Sequence, residues 1–114
     1  MSDDRERVRH ILEAIERIER YAIRGEVAFR RDELIQTWMI QNIQVIGEAA
    51  RALSPELQDR HRDVPWTDII GMRHVLVHDY FDIDLDIVWR VVERDIPHLK
   101  RQVQAILQVL GEPE

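Results

Sequence analysis

Apolar residues recur along this chain at steps of three and four, the spacing of helices with one buried face. Val8, Ile11, Ile15, Ile18 and Ala22 form one stripe, which predicts a first helix over residues 4–23 that ends before Gly25. A second stripe runs through Ile35, Trp38, Asn42, Val45, Ala49 and Ala52, with Ile46 and Leu53 beside it, and stops at Ser54-Pro55. Residues 54–65 are polar and punctuated by two prolines, reading as a connector with one short helical turn around Glu56 to Arg60. Thr67 is placed to cap a third helix from Asp68 to His78, and residues 79–84 then read as a turn. Asp84 or Asp86 begins a fourth helix, which Pro97 interrupts and which Leu99, Val103, Ile106 and Leu110 continue to Gly111. Ile83 to Ile87 alternates apolar residues with aspartate in a brief strand-like pattern, but those aspartates favour turns and caps.

The economical solution for these segments is an all-α fold: an antiparallel helical bundle of four to five helices in one domain spanning residues 1–114. Its stripes leave surface for a second copy, so a homodimer is expected. The absence of cysteine removes disulfides and zinc–thiolate sites and suits a reducing cytoplasm. No apolar run approaches the roughly 20 residues of a membrane span, and the charged N-terminus lacks a signal-peptide pattern. A soluble, cytoplasmic protein is the expectation.

Net charge is −6, against binding nucleic acid through a general positive field. The acid excess lies mostly after His78, and Lys100 is the sole lysine among 16 basic residues. Arginine is the side chain that grips phosphate bidentately, so local phosphate sites remain open to this composition. Asp79, Asp82, Asp84 and Asp86 crowd the end of the third helix and would repel a polyanion there unless they cap helices or face a basic partner.

That helix end carries the candidate chemistry. Arg73, His78 and Tyr80 supply a cation, a proton-transfer group and a hydroxyl, the minimum for cleaving RNA without a metal. On a regular helix Arg73 and His78 lie about 140° apart around the axis and share no face. Either the helix unwinds near Val77 and turns His78 and Tyr80 towards Arg73, or the complementary group comes from a second protomer. The bland alternative pairs Arg73 with Asp79 or another acid and leaves His78 as a helix-terminal cation. His74 and His78, at i and i+4, form half of a metal site with no evident third ligand, so no metal and no cofactor is assigned. Asn42 on the second apolar stripe fixes register or touches a ligand. Gly47-Glu48-Ala49-Ala50 permits close helix approach, and Glu48 either pairs with an arginine near the site or faces water. Trp38, Trp66 and Trp89 read as core or interface anchors. Arg60, His61 and Arg62 read as a solvated loop.

The Arg-x4-His-x-Tyr motif formed by Arg73, His78 and Tyr80 resembles that of the HEPN superfamily, specifically its HepT-like toxin branch. Residues 46–50, Pro65-Trp66, residues 70–73 and the Trp89 to Leu99 segment are also similar, so the likeness covers about residues 5–110. It implies a helical bundle that dimerises so that two motifs face one cleft and cut RNA without metal. On that reading Arg73 and His78 are catalytic, with His74, Asp79, Asn42 and Glu48 as possible supports. The same branch is usually paired with an MntA-like nucleotidyltransferase antitoxin that transfers AMP to the motif tyrosine, here Tyr80. Some HEPN proteins serve instead as non-catalytic modules that bind nucleotide or a nucleotidyltransferase, which is the alternative for this chain.

Overall fold

A computed structural model describes residues 3–79 and 82–111, with residues 77–79 described along the backbone. The first helix, α1 (Asp4–Ala22), buries Val8, Ile11, Ile15 and Ile18, the stripe read from the sequence. Gly25, at φ 94°, breaks the chain direction in a conformation that side-chain-bearing residues rarely adopt. A short helix α2 (Glu26–Arg31) follows, and the sequence reading missed it because six residues with one buried side chain, Phe29, make no stripe. The long helix α3 (Glu33–Arg51) starts at Asp32, whose carboxylate accepts the Leu34 N–H. Pro55 then opens α4 (Pro55–Arg60), the short turn expected in the connector.

Three antiparallel pairings follow from contacts at helix ends. Asp4 at the start of α1 binds Ser54 just past the end of α3, while Trp38 near the start of α3 donates to the Arg17 carbonyl late in α1. Arg5 reaches the Leu110 carbonyl, and Glu19 holds Lys100 at 2.9 Å, which sets α1 against α7 (Ile96–Val109) in the same sense. Gln44 and Gly47 meet Arg73 and Ile69, respectively, so α5 (Trp66–Leu76) runs antiparallel to α3. One buried cluster, from Val8 to Leu107, fills the space between these helices. The expected all-α bundle is therefore the architecture found: four long helical rods, with α2 and α4 as short additions.

Ser54 ties two elements at once. Its hydroxyl accepts the Leu57 N–H at the start of α4 and donates to Asp4 Oδ2 at 2.6 Å. Ser54→Ala is expected to lose about 1–2 kcal/mol of stability, lowering Tm by about 4–8 °C for a domain of this size. Thermal denaturation reads this directly, and an unchanged Tm would mean that solvent replaces the cap without loss.

Three local readings need correction. The third helix begins at Trp66 rather than after a Thr67 cap, because the Pro65 carbonyl already accepts the Ile69 N–H. It ends at Leu76 rather than His78. Val77–Asp79 (β1) pairs antiparallel with Asp82–Ile83 (β2), and the Leu76 carbonyl accepts the Asp84 N–H at 2.8 Å, which satisfies a helix-end acceptor. The aspartate-rich stretch thus does contribute two strand residues before Asp84 caps α6 (Leu85–Arg90) through the Ile87 N–H. Pro97, finally, does not break the fourth helix. A π-helical turn at Val91–Asp95 joins α6 to α7 with helical dihedral angles at both ends. The wider winding relieves the clash that a proline ring makes with the carbonyl four residues earlier.

Candidate functional site

Arg73 sits three residues before the end of α5, exposed, with its Nε donating to Gln44 Oε1 of α3 at 3.1 Å. Helix α5 lies close enough for this because Gly47, one turn beyond Gln44, has no side chain. A Cβ there would stand 3.2 Å from the Ile69 carbonyl oxygen and 3.5 Å from that of Ile70. The glycine therefore sets the helix spacing, and the spacing sets the guanidinium. With Nε held by Gln44, the two η nitrogens form no ion pair among the described residues. A cavity of about 150 Å³ opens at this junction, lined by Gln44, Glu48, Arg51, Arg73 and His74 with apolar Ile43 and Ile70 at its floor.

The cavity brings together Arg73, His74 and Glu48 from the sequence reading. Asn42 is not brought there. It is buried, and its Nδ2 donates to the Trp38 carbonyl at 2.9 Å, which makes it a partnered core amide within α3. The His78 and Asp79 side chains and the whole of Tyr80 lie outside the described residues. Sequence reasoning missed Gln44 and Arg51. Both were detectable in principle, since Gln44, Glu48 and Arg51 fall at steps of four and three on one face of the second helix. What concealed them was the absence of a reason to expect polar chemistry on that helix.

Two of the four crowding aspartates are committed elsewhere. Asp84 caps α6, and Asp86 binds Arg30 of α2 at 2.6 Å. That hydrogen bond, with a second that Arg30 donates to the Glu26 carboxylate, raises the Arg30 pKa above its ordinary value. Asp82 remains exposed. Among the described residues no group of three or more His, Asp or Glu side chains is arranged to hold a metal ion, and no described helix is long and apolar enough to cross a membrane. Trp66 and Trp89 are buried anchors, as expected, whereas Trp38 is half-buried and lines a cavity. Trp66 donates to the His61 carbonyl, Trp89 packs on Phe29 with centroids 5.4 Å apart, and Trp38 meets Tyr21 edge-on. His61 ends α4, and Arg62 pairs with Asp59 at the surface.

Comparison with known proteins gives the family. A sequence model described as "Ribonuclease HepT-like" matches residues 11–106. A "Probable ribonuclease HepT" of Thermococcus cleftensis is 33% identical over 84% of this chain and 88% of its own length. A "Putative RNase" of Caldanaerobacter subterraneus subsp. tengcongensis is 36% identical over 95% of this chain and 97% of its own length. A "Gamma-glutamylcyclotransferase and putative RNase" of Methanocaldococcus jannaschii is 38% identical over 89% of this chain, which spans 46% of that longer relative. No solved structure matches. The family match covers the core of the bundle, both sides of the Gln44–Arg73 contact and the turn that follows it, and the chain belongs to the ribonuclease HepT-like family, a family of RNA-cleaving enzymes.

Proposed function

We propose that this chain is a metal-independent endoribonuclease toxin of a type VII toxin–antitoxin pair. Two copies contribute to one cleft, and AMP transfer to Tyr80 by an MntA-like nucleotidyltransferase silences it. The observation that carries the reading is Arg73, anchored by Gln44 at the mouth of a cavity, with both η nitrogens left for a phosphate. His78 follows in the segment that turns back immediately after α5.

The chemistry balances without a metal. One His78 accepts the proton of a ribose 2′-hydroxyl as its oxygen attacks the adjacent phosphorus. The bond from phosphorus to the 5′-oxygen breaks, and the His78 of the second protomer delivers a proton to that oxygen. Arg73 stabilises the negative charge that accumulates on the non-bridging oxygens. The products are a 2′,3′-cyclic phosphate and a 5′-hydroxyl. Commitment of Asp84 to a helix cap and of Asp86 to Arg30 supports the reading, because it removes two acids from competition with RNA for Arg73. AMP on Tyr80 would add bulk and a phosphate able to compete with substrate for the same arginine.

The test is cleavage of an end-labelled RNA in EDTA by purified protein, with the product termini identified. Cyclic phosphate and 5′-hydroxyl ends, lost in a folded His78→Ala variant, are the expected result. Ends bearing a 3′-hydroxyl, or equal activity in the variant, would overturn it. A protein that binds the nucleotidyltransferase and cuts nothing would be the non-catalytic module instead.

A further inference from the structure

The exposed face of α3 carries three neighbouring cavities, the first of them at Arg73. Thr37, Gln41, Gln44, Glu48 and Arg51 succeed one another at steps of four and three, so they form one stripe along the helix. The 150 Å³ cavity at Arg73 shares Gln44 and Glu48 with a second of about 320 Å³. The second in turn shares Thr37 and Gln41 with a third of about 430 Å³ at the other end. This far cavity is unlike the first. Its walls include Tyr21 and Trp38, with ring centroids 5.6 Å apart and planes at 64°. The Trp38 ring is fixed by its Nε1 bond to the Arg17 carbonyl at 2.8 Å, and the Arg24 guanidinium lies 4.7 Å above the Tyr21 ring. Among the described residues Arg24 has no carboxylate partner and the Gln41 amide has no hydrogen bond within the protein.

Aromatic rings, a cation and an unspent amide are the means by which proteins hold an unpaired base: stacking, charge towards the backbone, and donors and acceptors for the base edge. We propose that the Tyr21–Trp38–Gln41 cavity receives a nucleobase of a single-stranded RNA whose scissile phosphate lies at Arg73. The inference rests on the nuclease reading of the Arg73 cavity. Seven residues of helix separate Thr37 from Gln44, about 10 Å along the axis. That is about three stacked nucleotides at ~3.4 Å each. The enzyme therefore prefers particular bases at a position two or three nucleotides from the cut.

The experiment uses a 2′-O-methyl RNA 12-mer, which lacks the attacking hydroxyl and stays intact, carrying 4-thiouridine at one position per oligonucleotide. The complex with the full chain is irradiated and the adducts are mapped. Adducts on Tyr21, Trp38 or Gln41 at a single oligonucleotide position are expected, with binding weakened about ten-fold in Arg24→Ala and Gln41→Ala. Adducts confined to other surfaces, or unchanged binding in both variants at unchanged Tm, would overturn the proposal. Dissociation of a dimer by these substitutions would overturn it too, by making this face an interface between copies. The two readings fail separately. Wild-type protein that cuts no ordinary RNA yet gives adducts at Tyr21 or Trp38 refutes the nuclease alone, whereas cleavage with adducts elsewhere refutes the base site alone.

Discussion

Arg73→Ala is expected to reduce RNA cleavage by about 10²–10³-fold, the loss seen when one preorganised donor to a developing oxyanion is removed. Tm should stay within about 2 °C, since a surface substitution of this kind changes stability by about 0.5 kcal/mol or less. The basis is that Arg73 is exposed and makes a single side-chain hydrogen bond, to an exposed glutamine. Arg73→Lys discriminates further. An ammonium keeps the charge but cannot donate to Gln44 through one nitrogen while presenting a planar fork to phosphate. It should therefore recover only a small part of the activity. Activity unchanged in Arg73→Ala would remove this arginine from the mechanism. A large fall in Tm would make its role structural.

Gly47→Val is expected to lower stability by about 2 kcal/mol, within the range for overpacking a tight contact, and to reduce cleavage by about 10²-fold in the fraction that folds. The Cβ alone already meets backbone, the Ile69 and Ile70 carbonyls, and two further methyls add bulk at that contact, so relief requires α5 to move away from α3. Such a shift lengthens the Gln44–Arg73 bond and misplaces the guanidinium. Gly47→Ala is the informative companion. Its single Cβ needs a few tenths of an ångström from the Ile69 carbonyl, and the loss is offset by the ~0.5–1 kcal/mol that alanine gains over glycine within a helix. Near-neutral stability in alanine and a marked fall in valine, read by thermal denaturation and RNA cleavage together, is the pattern that ties the glycine to helix spacing. Equal effects in the two would break that link.

The first and last helices were legible because their apolar stripes bury against one another, whereas the stripe read for α3 ran through Trp38, Val45 and Ala52, which are half-buried or exposed, while Met39, Ile43 and Ala50 carry its core face. Val8 to Ile18 and Leu99 to Ile106 lie in the core as their spacing predicts. Boundaries that depend on tertiary partners were not. The end of α5 at Leu76 is decided by the Asp84 N–H that takes its carbonyl, a contact eight residues away that no local propensity encodes. Helix α2 is stabilised by Phe29 against Trp89 and by Arg30 reaching Asp86, both far off in sequence. For the candidate site, Arg73 was evident from its motif. Gln44 and Arg51 became visible only when α3 and α5 were laid side by side, because polar residues on a helix carry no sign of what stands opposite. Asn42 is the converse case, where the bland reading of a partnered core amide holds. An amide on an apolar stripe attracts a functional reading, yet bonding to the carbonyl one turn back satisfies it locally.

The π-helical turn at Val91–Asp95 makes the length of the last rod inflexible. One residue taken from that turn would rotate everything downstream by about 100° relative to α6. The face of α7 bearing Leu99, Val103 and Ile106 would leave α1 for solvent, even if Pro97 were exchanged for a residue that accepts regular winding. Insertions and deletions between Trp89 and Leu99 are thus strongly disfavoured. A helix that looks like plain scaffold is in this sense the segment with the least freedom to drift.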